Sequence, residues 1–237
     1  MELSKRLFAV ASLVTPGNIV ADIGTDHAYI PIYLIEKNIC VSAIAMDVNA
    51  GPIERANEHI EEAGYQDRID TRLSNGLEKL KKGEADSVII AGMGGGLVMQ
   101  ILSAYPEVTC SLKECVLQPQ SEIAKVRAFL LNRGFEIVEE DMVLDEGKYY
   151  PMMKVIPPNH MDKEVEVPWT EVELRYGKLL LENKHPVLRA FLEREQKIHQ
   201  DILDSLAEKT GEKIESRKQE LYQDVKYIQK GLDYYVV

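Results

Sequence analysis

The sequence has few cysteines and no long apolar run, and both absences exclude classes of protein. Among its 237 residues are three cysteines, Cys40, Cys110 and Cys115. Their odd number and their spacing favour neither a disulfide framework nor a cysteine-based metal site. No stretch reaches the roughly 18 consecutive apolar residues of a membrane span. We therefore expect a cytoplasmic protein that binds no metal and has no membrane partner.

The sequence also lacks an excess of basic residues. Its formal net charge at pH 7 is -11. Neither the first 158 residues nor the remainder contains more lysine and arginine than aspartate and glutamate. Nucleic-acid-binding domains usually carry a basic patch or stripe. Charge alone therefore gives no support to a nucleic-acid partner.

A third absence concerns the junction between the first predicted strand and the helix that follows it. This junction reads Asp22-Ile23-Gly24-Thr25-Asp26-His27-Ala28-Tyr29-Ile30-Pro31. It keeps only the first glycine of the G-x-G-x-x-G loop with which dinucleotide-binding folds hold a pyrophosphate. Asp26 instead stands at the expected helix start, where a carboxylate satisfies the backbone amides and repels phosphate. The loop is thus unsuited to a dinucleotide.

Acidic residues at this junction suit a nucleoside cofactor that carries positive charge. S-adenosylmethionine has no phosphate and carries both a sulfonium and an ammonium group. We predict that Asp22 and the backbone of Gly24 hold its methionine end. The alternative is that Asp26 only caps the helix and Asp22 only lies in a turn.

A further acid lies at the spacing expected for the same site. The strand Ser42-Ala43-Ile44-Ala45-Met46 ends in Asp47. Its separation from Gly24 is close to the roughly 20 residues at which Rossmann-type sheets place the acid that binds ribose hydroxyls. We predict that Asp47 binds the ribose and that Val48 packs on the adenine.

Two more loops follow predicted strands of the same sheet. Asn75-Gly76 follows the strand at 69–73 and offers an amide and exposed backbone to the adenine edge. Gly92-Met93-Gly94-Gly95-Gly96 ends the next strand, and its four glycines let a substrate ring approach the backbone closely. We assign Asn75, Gly76, Gly92 and Met93 to the cofactor site. The alternatives are an ordinary loop and a mobile glycine loop.

The glycine-rich strand end lacks the Asp/Asn-Pro-Pro-aromatic motif of amino-directed methyltransferases. An endocyclic nitrogen needs no hydrogen-bond acceptor, because its lone pair already lies in the ring plane, so catalysis would rest mainly on positioning. We predict Asp26 and Tyr29 as catalytic residues. Tyr29 would stack on the base or hydrogen-bond to it, and Asp26 would favour positive charge on the methylated ring. His27 is assigned to the cofactor loop.

The order of predicted elements indicates a class I, Rossmann-like methyltransferase sheet. Strands and helices alternate as far as residue 134, with a short helix at 77–81, which is typical of a parallel sheet covered on both faces. Two extended stretches at 135–144 and 149–156 then form an antiparallel hairpin. Such a terminal hairpin is typical of class I methyltransferases and not of nicotinamide-binding domains.

Pro157-Pro158-Asn159-His160 interrupts this pattern and predicts a domain boundary. Residues 1–158 would form the methyltransferase domain. Within 159–237 apolar residues recur at helical steps, and Lys209-Thr210-Gly211 supplies a turn. We predict a C-terminal α-helical domain in which two long helices fold back as an antiparallel coiled coil. A helical subdomain packed on the core is the alternative.

Taken together, these residues resemble a known family, the bacterial tRNA (adenine-22, N1) methyltransferases. The resemblance extends over essentially the whole chain and rests on Asp22-Ile23-Gly24-Thr25-Asp26-His27-Ala28-Tyr29 with Pro31, Asp47-Val48-Asn49, Gly92-Met93-Gly94-Gly95, Leu117-Gln118-Pro119 and Leu3-Ser4-Lys5-Arg6-Leu7. It implies methyl transfer from S-adenosylmethionine to N1 of adenine 22 in tRNA. It also implies that the C-terminal hairpin helps to hold the tRNA.

Two other functions stay open at this point. One is a methyltransferase that acts on a small molecule or a protein. The other is a non-catalytic nucleoside-binding module whose coiled coil recruits a partner. Methyl transfer to tRNA separates the three. We expect a monomer or weak dimer.

Overall fold

The computed structural model describes residues 2–161 and 164–236, which divide into two compact units, Met1–Pro168 and Trp169–Val237. The strands of the first unit are β1 (Val20–Ile23), β2 (Ala43–Asp47), β3 (Ile69–Leu73), β4 (Ser87–Met93), β5 (Glu114–Pro119), β6 (Glu136–Asp145) and β7 (Lys148–Ile156). Its helices are α1 (Lys5–Ser12), α2 (Tyr29–Glu36), α3 (Ala50–Ala63), α4 (Gly95–Ala104), α5 (Pro106–Thr109) and α6 (Ile123–Asn132).

The strands of the described chain form one seven-stranded sheet in the order β3-β2-β1-β4-β5-β7-β6. Strands β1 to β5 pair in parallel, whereas β7 runs antiparallel to both β5 and β6. The strand order reverses between β1 and β4, and ligands of open α/β sheets bind beyond the carboxyl ends of the strands at such a point. The predicted class I methyltransferase sheet with its terminal hairpin is confirmed.

The central strands are buried over all of β1 and over the first four residues of β4. Every residue of β1 is buried, and so are Val88, Ile89 and Ile90 of β4. A parallel strand covered by helices on both faces needs apolar side chains in both directions, which explains the continuous apolar runs in the sequence. Asp22 therefore lies in a strand that is otherwise apolar, at the edge where ligands bind.

The predicted helix at 77–81 is wrong, because this segment forms a turn. The hydroxyl of Ser74 donates to the carbonyl of Gly76 at 2.9 Å and accepts from the backbone N–H of Lys79 at 3.1 Å. These local hydrogen bonds compete with a helix.

Helix α3 is absent from the predicted elements. Most of its surface is polar, and its buried residues are Ala56 and Ile60, which lie four positions apart on one face. Its C-terminus is marked by Gly64 in the left-handed conformation, a common helix stop. Such a narrow apolar stripe gives a weak periodic signal in the sequence.

A buried polar network occupies the amino ends of the parallel strands, opposite the ligand edge. Glu114, the first residue of β5, accepts hydrogen bonds from the backbone N–H of Thr15 at 2.9 Å and from the hydroxyl of Ser87 at 2.7 Å. Lys154 lies 3.2 Å from the same carboxylate. Burial raises the pKa of Glu114, but these hydrogen bonds and the lysine outweigh burial, and the net pKa is lowered.

The first unit continues beyond the proline pair at which the sequence predicts a boundary. The backbone N–H of Val165 donates to the carbonyl of Asn132 at 2.7 Å, and the Asn132 side chain donates back to Val165 at 3.2 Å. Arg133 donates to the carbonyl of Met161 at 3.4 Å. These bonds attach the segment after Pro158 to the end of α6, so the contacts divide after Pro168 and not after Pro158.

The second unit is helical and contains α7 (Glu171–Tyr176), α8 (Lys178–Glu182), α9 (Pro186–Leu206) and α10 (Glu212–Asp233). The last two run antiparallel, as three pairs of contacts show. A Cβ on Gly231 would lie 3.1 Å from Leu192, Gln196 donates to Gln229 at 3.0 Å, and His199 lies 3.8 Å from Asp224. The predicted pair of long helices is confirmed, and coiled-coil packing between them stays a prediction.

Among the helices of residues 2–161 and 164–236, none combines the length and the apolar character that crossing a bilayer requires.

Candidate functional site

A cleft of about 370 Å³ lies beyond the carboxyl ends of β1 and β4. It contains five of the residues that the sequence assigns to the site, namely Asp22, Gly24, Asp26, Tyr29 and Gly92. Its wall also includes Arg6, Leu7, Ile30, Ala91 and Gln120. The two predicted catalytic residues and three predicted cofactor residues therefore share one cleft at the point where the strand order reverses.

Asp22 is the buried acid of this cleft, with an exposed fraction of 6%. Burial raises its pKa to about 6, the nearby Thr25 side chain opposes that rise, and the neighbouring charge of Asp47 adds to it. A buried carboxylate with a raised pKa is stabilised in its charged form when a cation comes close. The cleft therefore favours a positively charged group beside Asp22.

Asp26 does not cap the helix that follows it, contrary to the sequence prediction. Helix α2 begins at Tyr29, its N-cap residue is Ala28, and no side chain caps its first turn. Asp26 instead accepts from Arg55 of α3 at 3.0 Å and lies 3.4 Å from Nε2 of His27. Its side chain is 65% exposed. Two residues lie between Asp26 and the helix, and they carry the chain away from the capping position.

Those two residues, His27 and Ala28, both adopt the left-handed conformation, with φ of 64° and 53°. Residues other than glycine rarely adopt it, and strain of this kind clusters at functional sites at a cost of about 1–3 kcal/mol each. Helix α3 holds the strained segment from one side through Arg55 and through His59, whose Nδ1 lies 3.2 Å from the carbonyl oxygen of His27. Because a carbonyl oxygen only accepts, Nδ1 of His59 donates there.

Three rings pack together beside the cleft. The rings of His27 and Tyr29 are nearly parallel, with centroids 5.0 Å apart and an interplanar angle of 8°. His59 stacks on His27 at 5.0 Å and on Tyr29 at 5.4 Å. His27 packs against Tyr29 and is not among the described residues that line the cleft, and its assignment to the cofactor loop stays a prediction. The stack fixes the orientation of the Tyr29 ring, which does line the cleft.

The glycines at the end of β4 and the start of α4 have different roles. Gly92 has φ of +80° and lines the cleft, so its left-handed backbone favours glycine. Gly94 is the N-cap of α4, and a Cβ on Gly95 would lie 2.5 Å from the carbonyl oxygen of Ser121. Two of the glycines therefore start and pack a helix. The close approach of a ligand to bare backbone, predicted for the whole cluster, is available at Gly92.

Met93 lies against Gly24, where a Cβ would overlap its terminal methyl group. Asp47 ends β2, and its carboxylate accepts from the backbone N–H of Asn49 at 2.7 Å. Val48 follows it and is 59% exposed. Met93, Asp47 and Val48 lie at the ligand edge of the sheet, beside the cleft rather than on its wall.

Asn75 and Gly76 line a separate hollow of about 60 Å³, together with residues of α4. They follow β3, the edge strand of the parallel set, which places them away from β1. Their assignment to the adenine edge stays a prediction, and so does the full set of cofactor residues.

Sequence reasoning did not assign Arg6, Gln120, Arg55 or His59 to the site. Arg6 belongs to the opening motif and Gln120 follows Leu117-Gln118-Pro119, so both had a signal in the resemblance. Arg55 and His59 lie four residues apart, which places them on one face of α3. Because the sequence analysis does not predict α3, the spacing of four residues could not indicate a shared helix face.

The residues that the structure describes contain no cluster of three or more histidine, cysteine or acidic side chains able to hold a metal ion. Cys40 and Cys115 are buried, and burial raises the pKa of both thiols, that of Cys40 to about 11. Thiols with raised pKa values are poor nucleophiles at neutral pH. The cleft itself presents the carboxylates of Asp22 and Asp26, one amide, one guanidinium and the Tyr29 ring.

Comparison with known proteins agrees with this arrangement. Residues 3–153 match the family model described as a methyltransferase domain. The tRNA (adenine(22)-N(1))-methyltransferase of Bacillus subtilis strain 168 is 37% identical over 153 residues, which are 65% of this chain and 64% of that protein. This match therefore spans slightly less than two thirds of that relative.

Two solved structures are similar over nearly the full chain. Mycoplasma capricolum TrmK, in complex with the cofactor product S-adenosylhomocysteine, is 28% identical, with a TM-score of 0.80 and 99% of each chain covered. Streptococcus pneumoniae Sp1610, in complex with S-adenosyl-L-methionine, is 30% identical, with a TM-score of 0.84 and coverage of 98% of this chain and 100% of that one. The chain belongs to the methyltransferase-domain family, in the group of the tRNA (adenine-22, N1) methyltransferases.

Proposed function

We propose that this protein transfers a methyl group from S-adenosylmethionine to N1 of adenine 22 in tRNA. The observation that carries the proposal is the cleft in which Asp22, Asp26, Tyr29 and Gly92 meet at the ligand edge of the sheet. The relative from B. subtilis supports the same activity. The enzyme would work in the cytoplasm, where its tRNA substrate is found.

The residues of the cleft fit S-adenosylmethionine. The carboxylate of buried Asp22 can pair with the ammonium group of the cofactor. Gly24, with φ of +75°, exposes backbone beside Asp22. Asp47, at the end of the neighbouring strand, offers acceptors to the ribose hydroxyls, and Val48 an apolar surface to the adenine. S-adenosylmethionine supplies an activated methyl group on a sulfonium. The absence of a glycine-rich phosphate loop disfavours NAD.

To methylate the substrate, the protein needs to position N1 of the adenine ring towards the methyl group. The Tyr29 ring, held by the stack with His27 and His59, offers a flat face or a hydroxyl to the adenine. Gly92 lets the base approach the backbone closely, because no side chain stands there. Asp26 places a negative charge near the ring that becomes cationic after methylation. No general base is required, because N1 carries a free lone pair.

The charge of Asp22 predicts how cofactor affinity depends on pH. Its pKa of about 6 in the free protein means that it is mostly ionised at pH 7 and mostly protonated at pH 5. The bound ammonium group favours the ionised form, so affinity should fall about 10-fold from pH 7 to pH 5 and level off above pH 7. Calorimetry across this range measures the effect. A flat profile would show that the ammonium group does not contact Asp22.

Methyl transfer to an unmodified tRNA transcript tests the proposed function directly. We expect incorporation of one methyl group per tRNA, mapped to N1 of adenine 22 by reverse-transcription arrest, and loss of incorporation when that adenine is replaced by guanine. An enzyme that binds S-adenosylmethionine but methylates only a small molecule or a protein would contradict the proposal.

The division of labour between the two units is part of the same proposal. Every residue assigned to cofactor or catalysis lies in the first unit, so the helical unit would contribute tRNA contacts and no chemistry. In this functional sense, residues 1–158 would form the methyltransferase domain and residues 159–237 the helical domain that contacts tRNA. A monomer or weak dimer is the proposed assembly.

A further inference from the structure

Arg6 lines the cleft but has no role in the cofactor site or the catalytic residues assigned above. It lies near the start of α1, whose N-cap Ser4 accepts from the backbone of Leu7 at 3.2 Å. The backbone N–H of Arg6 donates to Asp145 of β6 at 3.0 Å, which ties α1 to the terminal hairpin. This bond holds the Arg6 backbone beside the hairpin, and the Arg6 side chain lines the cleft.

The guanidinium itself is held by neutral partners. Its Nη1 donates to Oε1 of Gln118 at 3.1 Å, and its carbon lies 5.6 Å from the centroid of the Tyr150 ring. Gln118 is fully buried, so the amide that positions Arg6 belongs to the rigid sheet. Among the described residues, no carboxylate pairs with this guanidinium. Its positive charge is therefore available to a ligand.

Arg6 is also next to the place where a substrate can approach the backbone. A Cβ on Gly92 would lie 3.6 Å from Nη1 of Arg6 and 3.7 Å from the amide nitrogen of Gln120. The side chain therefore borders the open space at Gly92 without filling it. A nucleotide whose base enters at Gly92 brings its own sugar and phosphate within reach of Arg6.

The charges on the cleft wall indicate where a phosphate of the substrate would bind. Asp22 and Asp26 are both acidic, and Arg6 is the cation among the charged residues that line the described cleft. A phosphate would be repelled near the two carboxylates and attracted by the guanidinium, which matches phosphate oxygens with two parallel N–H donors. A protein with net charge -11 needs such a local cation to admit RNA.

We propose that Arg6 binds the backbone phosphate of the target adenosine and so determines that the substrate is a nucleotide within RNA. This inference rests on the proposed function and adds the substrate-binding residue to it. An adenine that reaches the cleft must leave its stack, and a phosphate contact would offset part of that cost.

The test compares tRNA binding by the parent, Arg6→Gln and Arg6→Lys in a salt series. Each phosphate contact contributes roughly 0.7 to 0.9 to the slope of log affinity against log salt. We expect Arg6→Gln to lower the slope by that amount and to raise KM for tRNA about 10-fold or more. Arg6→Lys should keep the slope and lose part of the affinity, since lysine keeps the charge but not the paired donors.

Lys113→Gln is the matched control, because it removes one positive charge at the opposite edge of the sheet, where Lys113 pairs with Asp86 at 2.9 Å. It should leave both KM and the slope as in the parent. Affinity for S-adenosylmethionine, measured by calorimetry, should be unchanged in all variants. The assignment of Arg6 is overturned if Arg6→Gln leaves the salt dependence of tRNA affinity unchanged. It is also overturned if Arg6→Gln weakens S-adenosylmethionine binding instead. A parent that transfers no methyl group to tRNA overturns the proposed function instead.

Discussion

Asp22→Asn is expected to bind S-adenosylmethionine about 10- to 100-fold more weakly than the parent at pH 7. A hydrogen bond to a charged group contributes roughly 1.5–3 kcal/mol, and the amide keeps the shape of the carboxylate but loses its charge. In the same variant the cofactor-free protein should unfold at a higher temperature. The reason is that ionised Asp22 is buried without a cation, which is costly, as its raised pKa shows.

The combination of weaker binding and greater stability is diagnostic, because a damaged fold would lower both. Calorimetry gives the affinity, and thermal unfolding without cofactor gives the stability. Asp67→Asn serves as the control, because Asp67 is exposed and lies in the turn before β3; it should change neither quantity. Parent-like affinity in Asp22→Asn would remove Asp22 from the cofactor site, and a lower unfolding temperature would show that the carboxylate stabilises the free protein.

Gly95→Ala is expected to destabilise the protein by about 1–3 kcal/mol, the usual cost of overpacking. The added methyl group would lie 2.5 Å from the carbonyl oxygen of Ser121 and 2.8 Å from Val126, both in or next to the start of α6. Backbone on one side and a fully buried valine on the other leave no room to adjust. Chemical unfolding measures the difference.

The neighbouring Gly96→Ala provides a matched control for that measurement. Gly96 is exposed in the same turn of α4, and its nearest neighbour is a flexible carboxylate oxygen of Glu122 at 3.4 Å. Alanine favours a helix over glycine by up to about 1 kcal/mol, so Gly96→Ala should be neutral or slightly stabilising. Equal stability of the two variants would mean that α4 and α6 are not packed as closely as described.

The sheet and its ligand edge were predictable because their signals are local. Strands β1, β2, β4 and β5 contain short apolar runs followed by a polar or glycine residue, and the carboxyl ends of parallel strands necessarily share one edge. Asp22, Asp47 and Gly92 were therefore assigned to one site from spacing alone. The terminal hairpin was predictable for a similar reason, since Glu146-Gly147 lies between two extended stretches.

What the sequence could not predict depends on contacts between distant segments. The sequence predicts that Asp26 caps α2. Left-handed His27 and Ala28 instead separate Asp26 from the helix, and Arg55 of α3 donates a hydrogen bond to its carboxylate. Only the folded chain brings Arg55 to Asp26. The sequence predicts open backbone at Gly94 and Gly95, whereas both contact Ser121, which follows β5 and is distant in sequence. Composition carries no information on such pairings.

The buried network around Glu114 has a practical consequence for work with this enzyme. Its carboxylate has a lowered pKa, so the stability that it contributes is present above its unfolded value and is lost only as pH falls through the lower folded value. The cost of ionised Asp22 has the opposite sign, since it is relieved as pH falls below about 6. At about pH 5 the cofactor is therefore expected to bind about 10-fold more weakly than at pH 7, while Glu114 still stabilises the amino ends of the strands. Extensive washing at about pH 5 should therefore remove bound cofactor faster than washing at pH 7, without unfolding the protein.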